Sequence, residues 1–161
     1  TVLVGWVSVL QNLGGAIGIY SFKHFTEWTS RRLAFCVAFL LALVSTAGTF
    51  WFLDRITGFY DVFWMIPLMG FCQLTLFGGY AIYFAELFPT RLRSTGTSFC
   101  YNIGRYLAAL GPWTLGLLTS VVYVAEPEPL RYAGVTMCGC FLVGLVALFF
   151  APETKGKPLP E

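Results

Sequence analysis

Five long stretches of this chain carry almost no charge, and that pattern limits the fold more than any other feature. Residues of about 2–22, 33–53, 62–85 and 132–151 contain no Asp, Glu, Lys or Arg, and residues of about 96–124 contain only Arg105. A bilayer's hydrocarbon core takes roughly 20 apolar residues of helix to cross. Each run is therefore expected to be one membrane-spanning helix, followed by a short cytoplasmic tail at 152–161. The expected fold class is all-α, a polytopic transmembrane helical bundle of five spans. A transmembrane barrel would show short alternating segments instead. Composition agrees: 57% of the residues are hydrophobic and 11% charged, against about 25% charged in soluble domains. A soluble chain of 161 residues lacks the interior to hide so much apolar surface.

The connecting segments, at 23–32, 54–61, 86–93 and 126–131, are short, so neighbouring helices should run antiparallel. Sorting the basic residues by side then separates two faces. Lys23, Arg31, Arg32, Arg91, Arg93, Lys155 and Lys157 fall on one, and only Arg55 and Arg131 on the other. The positive-inside rule places the richer face in the cytoplasm. The C-terminus is then expected inside, and the protein in a cell (inner or plasma) membrane. Thr1 opens directly into an apolar run, so the chain is expected to belong to something longer. Aromatic residues cluster at the expected interface: Phe50, Trp51 and Phe52 close the second run, and Phe59, Tyr60, Phe63 and Trp64 open the third.

Small residues mark expected helix contacts. Gly14 and Gly18 form a GxxxG pair, and Gly104, Ala108 and Gly111 form a second small stretch. Pro67 and Pro112 are expected to kink or break their helices, and Gly78-Gly79 to give a flexible point. The five cysteines read as small buried apolar residues. No metal or other cofactor is expected, since His24 is the sole histidine and no metal-ligand spacing occurs. Nothing points to an enzyme: there is no nucleophile–base pair, metal cluster or phosphate loop.

Arg105 is the most informative side chain. It lies twelve residues after Arg93, roughly 18 Å along a helix, which places it near the bilayer midplane. A charge there costs at least about 2.5 kcal/mol and must face the protein interior or water. Ser98, Tyr101, Asn102 and Arg105 follow helical spacing and share one face. The guanidinium fork suits a carboxylate. Three readings are open: a substrate-carboxylate site, an ion pair with an acid from a helix outside the chain, or snorkelling to the interface. Gln11, Asn12, Gln73 and Tyr80 are further candidate cavity residues. Each could equally be an interhelical hydrogen-bonding group. No acidic residue lies deep in any run, so a proton-coupling carboxylate is expected elsewhere. At the basic face, Glu27 precedes Arg31 and Arg32, Glu86 precedes Arg91 and Arg93, and Glu153 precedes Lys155. These could form a charge network that breaks in another conformation, or could merely set topology.

The segment from Tyr83 through Glu86-Leu87-Phe88-Pro89-Thr90-Arg91-Leu92-Arg93 to Gly96, and the tail Pro152-Glu153-Thr154-Lys155-Gly156, resemble the major facilitator superfamily. The first is similar to its signature after helix ten. The second is similar to the PETKG element closing helix twelve in sugar-porter-like members. The resemblance aligns the five runs with helices eight to twelve, part of the C-terminal half of that fold. Glu27-Trp28-Thr29-Ser30-Arg31-Arg32 resembles the family's loop between helices eight and nine, with Glu for Asp, Trp for a basic residue and Ser for Gly. Tyr101-Asn102-Ile103-Gly104-Arg105 with Ala108-Ala109-Leu110-Gly111-Pro112 resembles helix eleven of organic-acid members. The resemblance implies alternating-access transport of a small anionic substrate, coupled to protons. The partners implied are that substrate, the lipid bilayer and the missing N-terminal helices of the same or another chain; nucleic acid is not among them. A sugar/H+ porter and a non-transporting membrane subunit are the alternatives.

Overall fold

A computed structural model describes residues 2–52, 59–157 and 160, the side chains of 2–4 and 59–62 excepted. Arg55 and the side chains of Phe59 and Tyr60 lie outside the described residues. The order is α1 (Val2–Trp28), α2 (Arg31–Trp51), α3 (Phe59–Leu87), α4 (Arg93–Ala109), α5 (Gly111–Leu117), a π-helical turn (Leu118–Val122), α6 (Pro129–Met137) and α7 (Gly139–Phe150). No strand occurs among the described residues. The fold is all-α and fits a partial helical bundle of the major facilitator type. Three stretches are long and apolar enough to cross a membrane on their own: Arg31–Trp51, Phe63–Leu87 and Pro129–Phe150. The third combines α6 and α7 across a slight break at Cys138.

Helices α1 and α3 make the closest crossing. A methyl group on Gly14 would strike the carbonyl oxygen of Pro67, and one on Gly18 the carbonyl oxygen of Phe71. From the other side, one on Gly70 would strike the carbonyl oxygen of Gln11. The GxxxG pair thus meets backbone, with the Leu74 side chain on Gly15 and the Thr75 hydroxyl beside Gly18 filling the contact. Gly78 and Gly79 extend this close packing. Gly78 abuts Ile19, and Gly79 lies against the rings of Phe22 and Phe35. They act as contact points within a continuous helix. Helix α3 also continues through Pro67, which is braced by α1.

Helix α2 carries Ala34, Ala38, Ala42 and Thr46 at intervals of four, all buried. This spacing makes one narrow face, which lets α2 sit close to its neighbours. Phe35 and Phe39 flank it, and with Phe22, Leu76 and Tyr83 they form the core. Gln73 on α3 reaches across to donate to the Thr46 hydroxyl at 2.8 Å. Phe141, Leu145 and Leu148 of α7 pack on the outside of this core.

Like α7, helices α4 and α5 contain no fully buried residue. They separate at Leu110, just before Gly111-Pro112. Proline lacks the amide hydrogen and its ring crowds the preceding turn, so a new helix starts there instead of the old one continuing. The opposite end of the bundle is closed by Arg131, whose guanidinium lies 4.3 Å from the centre of the Trp51 ring and donates to Glu128 at 3.0 Å.

Candidate functional site

The basic end of the bundle holds a connected cluster built by helix termini. Helix α2 begins after Ser30, whose hydroxyl accepts the amide of Leu33 at 3.2 Å, as a helix N-cap does. Two further first-turn amides, those of Arg31 and Arg32, donate to the carboxylate of Glu153 at 3.0 and 3.1 Å. A carboxylate here satisfies orphan donors and meets the positive end of the helix dipole. The exchange is reciprocal. Arg32 donates through Nε and Nη2 to the carbonyls of Leu148 and Phe149, at 2.7 to 3.2 Å, where α7 ends. The start of α2 and the end of α7 therefore cap one another.

Arg31 turns its guanidinium to α3. It donates to Glu86 through Nε at 3.2 Å and Nη2 at 2.7 Å. Thr154 donates to the same carboxylate at 2.6 Å. Lys155 donates to the carbonyls of Glu27 and Thr29 at 2.8 and 2.6 Å, closing the end of α1. Tyr83 donates to the carbonyl of Pro152 at 2.7 Å. The turn that follows needs Gly156, whose φ of +75° is in the left-handed region. Every polar residue of the tail motif thus has a partner on another helix or loop.

Of the charged candidates, Arg31, Arg32, Glu86, Glu153 and Lys155 meet here. Glu27 contributes its carbonyl, while its carboxylate faces His24 at 3.5 Å. Arg91 is exposed and joins no ion pair among the described residues. Among the described residues Arg93 reaches only Thr90, at a long 3.5 Å, and its Nε is buried without a partner. Tyr83 and Thr154 were not singled out for this cluster. The signal was present: Tyr83 lies one turn before Glu86, and Thr154 lies inside the tail motif. Burial alone would raise the Glu153 carboxyl, but the amides of Arg32, Lys155 and Arg31 and the Ser30 hydroxyl hold it below the usual carboxylate value.

The second group lies on α4. Arg105 is exposed and makes no hydrogen bond or ion pair with any described residue. Asn102, also exposed, donates to the carbonyl of Ser98 at 2.8 Å. Tyr101 is half-buried, its ring edge-on to Phe84 at 5.6 Å. Phe84 stacks on Tyr80 at 5.4 Å, and Tyr80 on Phe35 at 5.6 Å. Tyr80 therefore stands one ring away from the Arg105 face, while Gln73 faces α2. On α1, Gln11 lies at the α3 crossing, and Asn12 is exposed and donates to Ser8 at 2.7 Å.

Apolar helices joined by short loops, and locked at one end by a charged cluster, define a polytopic integral membrane protein. Known proteins show what the chain is similar to. The chain is 41% identical over 80 residues, 50% of its length, to human solute carrier family 22 member 11, matching 13% of that protein. It is 31% identical over 100 residues, 61% of the chain and 22% of the relative, to a cis,cis-muconate transport protein of Acinetobacter baylyi. A putative metabolite transport protein of Haemophilus influenzae is 27% identical over 156 residues, 96% of the chain and 35% of the relative. The chain is similar to transporters of the major facilitator superfamily, and its partial match fits a C-terminal part of such proteins. These relatives are transporters, not enzymes. The chain spans between about an eighth and about a third of their length. No family model matches it, and no solved structure gives a significant match.

Proposed function

We propose that this chain forms five membrane spans in the C-terminal half of a secondary transporter for a small organic anion. The carrier works by alternating access and is coupled to protons. The observation that carries the reading is Arg105: a permanent cation, exposed on α4, with no carboxylate partner among the described residues. Tyr101 and Asn102 flank it on the same helix face. Such a charge in a spanning segment needs a counter-ion from elsewhere in the protein or from a ligand. The substrate's carboxylate is that partner, held through the guanidinium fork. Relatives named for muconate and for inorganic phosphate add support, since both are anions. The charged cluster faces the cytoplasm of the inner or plasma membrane. It latches the helix ends in one conformer and releases them in another.

The test is uptake into proteoliposomes holding the full-length protein, with labelled monocarboxylates and hexoses compared under an inward proton gradient. The reading expects carboxylate uptake that falls when the gradient is collapsed. Arg105→Gln should abolish it while leaving the melting temperature unchanged. Hexose uptake insensitive to Arg105→Gln would favour a sugar porter, the reading supported by the PETKG tail.

A further inference from the structure

A groove of about 620 Å³ runs between α2 and α7. Its walls are Leu33, Cys36 and Leu40 from α2, and Leu145, Leu148 and Phe149 from α7. Its polar residues, Ser30 and Arg32, sit together at one end. That end is the basic end of the bundle, where Arg32 meets the last carbonyls of α7. The groove is therefore an amphiphile's mould, an apolar trough with a cationic mouth. It opens onto exposed apolar side chains: Leu33 and Leu40 on one bank, Phe149 and Phe150 on the other. In an integral membrane protein the medium against such a surface is lipid.

The charges at the mouth favour an anionic headgroup. Arg31 is matched by Glu86 at 2.7 Å. Glu153 is matched by backbone amides. Three cations and two carboxylates gather there, which leaves one positive charge over, and among the described residues the side chains of Arg32 and Lys155 bond only to carbonyl oxygens. Arg32 commits Nε and Nη2 to those carbonyls and keeps Nη1 uncommitted among the described residues. The uncommitted nitrogen of a guanidinium is a good donor to phosphate oxygen.

We infer that the α2–α7 groove is a binding site for one anionic phospholipid, with an acyl chain along Leu40 and Leu145 and the phosphate on Arg32. Such a lipid brings its charge to the point where α2, α7 and the tail are tied together. It would reinforce the closed cluster without entering the substrate path on α4. The site rests on the membrane reading alone and is independent of what is transported.

The test uses the full-length protein in nanodiscs of phosphatidylcholine doped with phosphatidylglycerol, with retained lipid counted by native mass spectrometry after delipidation. The wild type should keep phosphatidylglycerol in preference to phosphatidylcholine. Arg32→Gln should lower that preference about fivefold, the value of one basic contact near a membrane surface. Because Arg32 also caps α7, a second variant is needed. Leu145→Trp fills the trough without touching Arg32 and should expel the lipid whatever its headgroup. A phosphatidylglycerol bearing a photoreactive acyl chain should label the peptides containing Cys36 and Leu145. Equal retention of both lipids, wild-type binding by Leu145→Trp, or labelling confined to other helices would each overturn the proposal. So would a Cys36 cross-link showing that another helix of the protein occupies the groove.

Discussion

Removing the carboxylate of Glu86 should weaken the bundle by an amount that depends on Arg31 being present. The geometry sets the size. Glu86 accepts two bonds from Arg31, at 3.2 and 2.7 Å, and one from Thr154 at 2.6 Å. The paired side chains are only 17% and 20% exposed. A fully exposed ion pair contributes about 0.2–1 kcal/mol, whereas stripping one partner from a fully buried pair costs about 3–5 kcal/mol. This pair falls between those limits. Glu86→Gln keeps the shape but removes the charge and turns one accepting oxygen into a donor, so a loss of about 2 kcal/mol is expected. Arg31→Gln alone should cost a similar amount. In the double variant no charge is left stranded, so its loss should fall short of the sum by about 1.5 kcal/mol. Reversible unfolding of the full-length protein in mixed micelles, run as a double-mutant cycle, measures this directly. Additivity within about 0.5 kcal/mol would falsify the claim that the two side chains act as a unit. Arg31→Lys offers a check on geometry: an ammonium cannot reproduce the paired bonds, so it should restore only part of the loss.

Other outcomes follow from features elsewhere. Gly14→Ala should destabilise by about 1–3 kcal/mol, because its methyl meets the Pro67 backbone, which cannot yield as a side chain can; thermal melting tests it, and an unchanged midpoint would place α1 and α3 further apart. The lowered Glu153 carboxyl makes acid sensitivity predictable in sign. Its stabilising contribution is fully present above the ordinary value of 4.5 and is lost as pH falls through the lower folded value. Glu153→Gln should therefore flatten the acid limb of a melting-temperature profile taken below that point. At the opposite end, Trp51→Leu removes the ring under Arg131 and should cost about 0.5–1 kcal/mol; a cycle with Arg131→Gln isolates the term, and zero coupling would dismiss the contact.

Helix positions were legible because charge is expensive in lipid: charged residues mark where each apolar run must end. The same economy brought Arg31, Arg32, Glu86, Glu153 and Lys155 to one end on sequence grounds. Their partners were not legible. Opposite charges at a shared end imply side-chain pairs, yet Glu153 spends its oxygens on backbone amides of α2, and Arg32 on carbonyls of α7. Those groups are free only because two helix termini meet, a property of the assembled bundle. Ser30 shows the same limit. Set against the family loop it looks like the loss of a glycine, whereas in place it is the cap of α2. The GxxxG pair announced a close contact but not its partner, since nothing local to Gly14 encodes Pro67 or Gly70. Gln73 and Tyr80 share a helical face as their spacing requires, but which neighbour that face meets depended on α2 and its alanine row.

The crossing of α1 and α3 has a mechanical consequence. Where Gly14 and Gly70 bring main chain against main chain, little flexible side chain is left to absorb sliding, and shifting one helix along the other by a fraction of a turn would press carbonyl oxygens on the facing backbone. The two helices must travel as one rigid beam, with α2 wedged alongside. Deformation is left to the α4–α5 arm, which touches that beam through Tyr101 on Phe84 but has no fully buried residue, and which already carries a joint at Leu110. Arg105 rides on the pliable side of that joint's neighbourhood, so its reach can change while the beam keeps its shape.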